Sequence, residues 1–264
     1  MTYKIFNPKE DMQGNAKENI FIVMDDKGYV GNGFVFPKIS SLTPLHPLNI
    51  FIDMSLDEKL FETDLAERLY HRLKRRAIEL SQVTGLRSLL YYGSEKADYK
   101  TSFFKKMDFS ETLHTLKLTR HLDPILHKTL DYKILIDNHD SHDDLIELHN
   151  KTLIKPIDDE VIHKLSHKED FAVFKVYDDR LIASMLIYKE DGQGFIDHIV
   201  VDKAFRGKSI GTYLLAEAID YFRVRFCKCL ELEVWSANVK AMTFYDKYDF
   251  QTGNVTEIYV GKHL

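Results

Sequence analysis

Residues 196–215 read Ile196-Asp-His-Ile-Val-Val-Asp-Lys-Ala-Phe-Arg-Gly-Lys-Ser-Ile-Gly-Thr-Tyr-Leu-Leu215. An apolar strand ends near Val201, a short loop runs through Arg206, and a helix starts near Ser209. That helix carries Ile210, Leu214, Leu215, Ala218, Ile219 and Phe222 along one broad apolar face. The first turn of any helix has backbone N–H groups without partners, and the helix macrodipole adds positive potential there. Arg206 and Lys208 add formal charge, while Gly207 and Gly211 let a ligand approach the backbone closely. Such a cradle suits a pyrophosphate. Its spacing is neither the Walker A pattern nor the three-glycine dinucleotide fingerprint.

Working outward, residues 103–109 (Phe-Phe-Lys-Lys-Met-Asp-Phe) repeat as residues 244–250 (Phe-Tyr-Asp-Lys-Tyr-Asp-Phe). Each heptad closes the same series: strand, long helix, strand, short helix. The first series is Leu48–Met54, Asp64–Gln82, Ser88–Tyr92 and about Tyr99–Lys106. The second is Phe195–Val201, Ser209–Cys227, Leu230–Trp235 and about Val239–Lys247. Upstream of the second series lie a strand at Tyr132–Ile136, helices at His142–Leu153 and Asp158–Leu165, and strands at Phe171–Tyr177 and Ile182–Tyr188. The first half begins with strands Ile20–Met24 and Tyr29–Phe36 and lacks an opening strand and two helices. Pro124 disfavours helix at Asp123, so the connection falls around Leu122–Leu130. The expected organisation is α/β with a mixed sheet, in two copies of one unit over residues 1–122 and 128–264, the first truncated.

The chain of 264 residues, 44% hydrophobic, is able to bury a real core, and its net charge of −5 gives no general polyanion surface. Nucleic acid is therefore not an expected partner. The N-terminus has no signal-peptide stretch, and no apolar run reaches the length of a membrane span. Cys227 and Cys229 have no second ligand pair at metal spacing, so no metal is expected, and as free thiols they suit a reducing compartment. A cytoplasmic protein, monomeric or homodimeric, is expected.

Arg206-Gly-Lys-Ser-Ile-Gly211 resembles the pyrophosphate loop of the GNAT acetyltransferase superfamily, Gln/Arg-x-x-Gly-x-Gly/Ala, with Ser209 in place of the first glycine. The resemblance extends through Leu230–Asn238, Ala241 and Phe244-Tyr245-Asp-Lys247-Tyr-Asp-Phe250, where Asp249 replaces a glycine. Asp tolerates the left-handed region better than most residues, and Asp108 holds the matching place in the first copy.

The resemblance implies an N-acetyltransferase with acetyl-CoA as acyl donor and a primary amine of a small molecule or peptide as acceptor. It places the CoA phosphates at Arg206, Gly207, Lys208, Ser209, Ile210, Gly211 and Thr212. The pantetheine would lie along the backbone of Ile199, Val200 and Val201, and Asn238 would contact CoA or simply cap the following helix. Tyr245 is implied as the acid that protonates the departing thiolate. Asp197 or His198 would deprotonate the ammonium; on a regular strand they face opposite sides, so one serves unless the strand bulges. Glu231 and Glu233 are lesser candidates. Transfer would be direct, without a cysteine nucleophile.

In the first copy, Leu56–Leu65 has no glycine and four acidic residues, and Phe104 stands where Tyr245 does, so it reads as a scaffold. Acceptor walls are expected around Asn150–Asp159. A non-catalytic acyl-CoA sensor on the same fold is the alternative reading. The aminoacyl-tRNA-dependent ligases that share a duplicated architecture fit less well, because the CoA-type loop is intact and the charge acidic.

Overall fold

The computed structural model describes residues 2–12, 16–40, 43, 45–123, 132–136, 142–152 and 157–264. In chain order the first elements are β1 (Lys4–Phe6), β2 (Ile20–Asp25), β3 (Gly28–Ile39), β4 (Leu48–Ser55), α1 (Asp64–Thr84), β5 (Ser88–Ser94), α2 (Tyr99–Lys106) and β6 (Ser110–His121). They are followed by β7 (Ile134–Ile136), α3 (Asp143–Thr152), α4 (Asp159–Ser166), β8 (Glu169–Asp178), β9 (Arg180–Glu190) and β10 (Gln193–Val201). The last are α5 (Ile210–Arg223), β11 (Cys229–Trp235), α6 (Val239–Asp246) and β12 (Gln251–His263). No helix among the described residues is long and apolar enough to cross a membrane.

Two compact units divide the chain. The first comprises Met1–Thr115, Trp235–Asn238 and Val255–Leu264; the second comprises Leu116–Val234 and Val239–Asn254. Much of the expected connection, residues 124–130, lies outside the described residues. The last strand of each repeat crosses in membership: residues 255–263 of β12 count with the first unit and 116–121 of β6 with the second.

In the second unit the strands run β6-β11-β10-β9-β8-β7. The β10–β11 pair is parallel, and β8, β9 and β10 are linked antiparallel. Side chains alternate across this sheet. Ala172, Phe174, Met185, Ile187, Ile196, Leu230 and Leu232 pack with Leu214, Leu215, Ile219 and Phe222 of α5. From the other face, Val173, Leu186, Tyr188 and Val200 pack with Leu145 and Leu148 of α3 and Ile162 and Leu165 of α4. The result is a helix–sheet–helix sandwich.

The first unit repeats the order with one layer fewer. Its strands run β1-β2-β3-β4-β5-β12, with β4 and β5 parallel and Ile258–His263 antiparallel to Leu89–Ser94. Leu65, Leu69 and Leu73 of α1 and Phe103 and Phe104 of α2 cover one face, on Ile50, Ile52, Met54 and Leu90. The opposite face holds an aromatic cluster within the unit, Phe51, Tyr91, Trp235 and Tyr259, with ring centroids 5.5–6.4 Å apart.

The expectation that the first half lacks an opening strand is corrected. Lys4–Phe6 pairs antiparallel with Ile22–Met24, just as Ile134–Ile136 pairs with β8. Among the described residues, a 3-10 turn at Lys17–Asn19 stands between β1 and β2, where α3 and α4 follow β7.

The repeated heptad has a physical cause. After α2, the Phe109 N–H donates to Phe104 O and the Asp108 N–H to Lys105 O, with Asp108 at φ 63°. After α6, the Phe250 N–H donates to Tyr245 O and the Asp249 N–H to Asp246 O, with Asp249 at φ 64°. Both are Schellman caps with a left-handed Asp, and each carries the expected apolar contact between the capped ends. The Phe104–Phe109 and Tyr245–Phe250 centroids are each 5.2 Å apart.

Helix α5 stops four residues before the expected Cys227. Cys227 N–H donates to Phe222 O and Phe226 N–H to Arg223 O, making a third cap of this kind, with Phe226 itself at φ 58°. No Gly or Asn marks that stop in the sequence. Cys227 is thereby placed before β11 rather than on it, and only Cys229 lies on the strand.

Candidate functional site

The parallel pairing of β10 with β11 ends early. Gly194, Phe195 and Ile196 align with Leu230, Glu231 and Leu232, and no further pairs follow, although β10 runs on to Val201 and β11 to Trp235. On its other edge β10 stays paired with β9 as far as Val201↔Ala183. The register shifts between Ile196 and His198, so Asp197 is an extra residue in β10. A bulge of this kind bends a strand and re-aims its side chains. The two strands splay, and residues 197–201 present a backbone edge with no strand opposite it.

The splay leads into the loop before α5. Asp202 caps a 3-10 turn at Lys203–Phe205 by accepting from Ala204 N–H, and it pairs with Arg180 at 2.8 Å. Arg206 Nε donates to Val201 O at 2.9 Å, folding the loop back on the strand end. Gly207 adopts φ 78° with open space around a β-carbon, and Ser209 adopts φ 64°. No side chain caps α5; Tyr213 N–H reaches back to Ser209 O, so the N–H groups of residues 210–212 precede the helical ladder. A β-carbon at Gly211 would make ordinary contacts, 3.7 Å from Phe244 and 3.8 Å from Val201. Lys208 is exposed and sits 4.7 Å over the Phe205 ring. An uncapped helix, an open glycine and two cations fit a phosphate group.

Side chains of the remaining loop residues turn inward. Ile210 is buried in the core, and the hydroxyl of Thr212, also buried, lies 2.8 Å from that of Tyr248. Only their backbones are open to a ligand. Ile199 and Val201 pack partly on the α5 side, and Val200 is buried under α3 and α4. Asn238 stands just before α6, belongs to the first unit, and donates its N–H to Trp235 O at 2.8 Å.

The bulge brings Asp197 and His198 together: Asp197 Oδ2 contacts His198 Nδ1. The bulge thus sets them in contact, where a regular strand would put them on opposite faces. His198 in turn faces His149 of α3, with ring centroids 5.5 Å apart. His149 is fully buried, its Nε2 lies 2.7 Å from Ser184 Oγ, and its Nδ1 has no partner among the described residues. Burial, aided by His198, pushes its pKa down to about 3, so its ring is neutral. Tyr245 on α6 is buried between Phe244 and Phe250, and burial raises its phenol well above the usual range. It keeps its proton at neutral pH. Phe104, its counterpart in the first unit, is fully buried against Tyr92 and Phe109. Glu231 is neutralised by Lys117 at 2.8 Å.

A pocket of about 220 Å³ opens beside the bulge, lined by Tyr188, Glu190, Phe195, Ile196, Asp197 and Glu233. Tyr188 and Phe195 are direct cross-strand partners with rings stacked at 5.4 Å. The sequence offers only ordinary strand alternation at these two positions, and the pairing that joins them is invisible there. Of the expected acceptor wall, residues 153–156 lie outside the described residues. Asn150 clamps Ile157 by accepting from its N–H and donating to its carbonyl, both at 2.8 Å.

Residues 138–250 match the acetyltransferase (GNAT) family. That stretch is similar to a GNAT domain. The match takes in the bulged strand, the uncapped helix and the Tyr245 heptad. No curated protein matches the sequence. Among solved structures, a GCN5-related N-acetyltransferase from Kribbella flavida shares 10% identity over 93% of this chain and 60% of its own, at TM-score 0.56. Another from Sphaerobacter thermophilus shares 13% over 95% and 82%, at TM-score 0.50. At these identities the likeness is one of fold, and it extends beyond the GNAT domain over nearly the whole chain.

Proposed function

We propose that the GNAT domain transfers an acetyl group from acetyl-CoA to a primary amine of a small molecule or peptide by direct attack. The observation that supports this reading best is the splay of β10 from β11 at Asp197, continuous with the uncapped start of α5. The free edge of residues 197–201 accepts an extended amide-bearing chain as an added strand would. The loop at 206–212 receives the phosphates at the other end, with Arg206 and Lys208 supplying charge. Acetyl-CoA supplies an activated acyl group on sulfur.

His198 takes the proton from the acceptor ammonium, directly or through one water, and Asp197 holds the imidazole through Nδ1. The freed amine nitrogen bonds to the acyl carbon and loses its surplus proton to water as the carbon–sulfur bond breaks, and a proton returned by water in the end restores the Tyr245 phenol. Tyr245, kept protonated by burial, gives its proton to the leaving sulfur. Cys227 and Cys229 take no part. Their free thiols suit the cytoplasm as the place of action.

Calorimetric titration with acetyl-CoA, beside Gly211→Glu, tests the donor site. One equivalent bound, and lost in Gly211→Glu, is expected. Absence of binding by the unmodified chain would reduce the domain to a scaffold.

A further inference from the structure

We propose that the pocket beside Asp197 selects an acceptor with a second cationic group, such as a diamine or a basic side chain. This deepens the transferase reading and rests on it. Asp197 belongs both to the bulge and to the pocket lining, so an amine presented to the Asp197–His198 pair has the pocket at its back.

The charges there do not balance. The pocket carries three carboxylates, Glu190, Asp197 and Glu233. Lys168 Nζ contacts Glu190, and Lys117 is taken by Glu231, 2.8 Å away. Lys189, farther along β9, is taken by Glu169 and Asp170. Asp197 has only His198, and Glu233 has no ion pair or hydrogen bond among the described residues. Two carboxylates therefore lack a lysine: Asp197, which is engaged with His198, and Glu233, which is left for another cation.

Tyr188 points to the same ligand. It is only 7% exposed, it lines the pocket, and its hydroxyl has no hydrogen-bond partner among the described residues. Burial first, then the charges of Asp197, Glu190 and Glu233, hold that phenol above its usual range. All three carboxylates thus act on the Tyr188 phenol. A second ammonium meets that oxygen, the Glu233 carboxylate, and the aromatic wall of Tyr188 and Phe195, where Lys168 and Lys117 already lie 5.3 and 5.5 Å over the two rings. The volume equals that of roughly seven waters, enough for a short unbranched chain.

The test compares 1,4-diaminobutane with 1-aminobutane, first by direct titration without acetyl-CoA and then as acceptors. The diamine should bind at least tenfold tighter and show at least tenfold higher kcat/KM. Glu233→Gln should pull both ratios towards one, Tyr188→Phe should reduce them, and added salt should narrow them. Equal affinity for the two amines, or a ratio unchanged in Glu233→Gln, overturns the proposal. An acetyl-CoA titration on the same protein separates the two readings. Diamine bound but acetyl-CoA refused would defeat the transferase and leave the cation pocket standing. Acetyl-CoA bound and both amines acetylated equally would defeat the cation pocket alone.

Discussion

Ser209 holds φ 64° at the start of α5, where only glycine avoids a clash between its β-carbon and the backbone. Ser209→Gly should raise stability by about 1 kcal/mol, read as an increase in Tm, with acetyl-CoA affinity retained because the N–H stays in place. Gly211 divides the steric question from the electrostatic one. A β-carbon there meets its neighbours at ordinary distances, so Gly211→Ala should bind acetyl-CoA within a few-fold of the native chain while Gly211→Glu should not bind it. Tyr245→Phe should lower kcat by about 100-fold or more and leave the calorimetric affinity for acetyl-CoA unchanged; an unaltered rate across pH would remove Tyr245 as the acid. The left-handed Asp249 was legible because it stands where the resemblance has a glycine, and Asp tolerates that conformation. The bulge at Asp197 was legible only as an option. Asp197 and His198 read as opposite-facing on a regular strand and as neighbours on a bulged one, and the pairing with β9 that decides between these leaves no mark in the residues themselves.

Elements show the same divide. Boundaries set by side chains near the boundary came out well: α2 is Tyr99–Lys106 as expected, opened by an Asp98 capping box. Where α5 stops on a left-handed Phe226, no residue type gave warning. Strand β6 is also hidden, because Leu113, Leu116 and Leu118 fall out of step with a period of two. The caps after α2 and α6 allow a direct test. Asp108→Gly and Asp249→Gly should each stabilise the protein by about 1 kcal/mol, measured by thermal or denaturant unfolding. Helix α3 is pinned to β9 through His149 and Ser184. Between pH 6.5 and about 3 the unfolded chain binds a proton at residue 149 that the folded chain refuses. The contribution of His149 is therefore full above pH 6.5 and is lost as pH falls through that window. His149→Gln should flatten the acid limb of a stability-against-pH curve; an unchanged slope would mean that the buried ring does not govern it.

At the level of the whole molecule, the repeat in the sequence shows that two units exist but not which residues complete each one. Pairing between distant strands depends on partners that a local pattern does not specify. Val260, fully buried in the first unit's core, and the ladder from Ile258 to His263 along β5 come from the far end of the chain. Deleting residues 255–264 should strip hydrogen-exchange protection from the amides of Leu89–Ser94, a segment more than 160 residues away in sequence. Protection unchanged by the deletion would show that β5 is held without its partner. The same feature bears on synthesis. Domains ordinarily fold in the order in which they leave the ribosome. Here the unit that begins to emerge first needs residues 255–264, which are made only after the whole of the second unit. Its final strand can be laid in only after that, so the nascent chain carries an incomplete sheet while the second unit is being made.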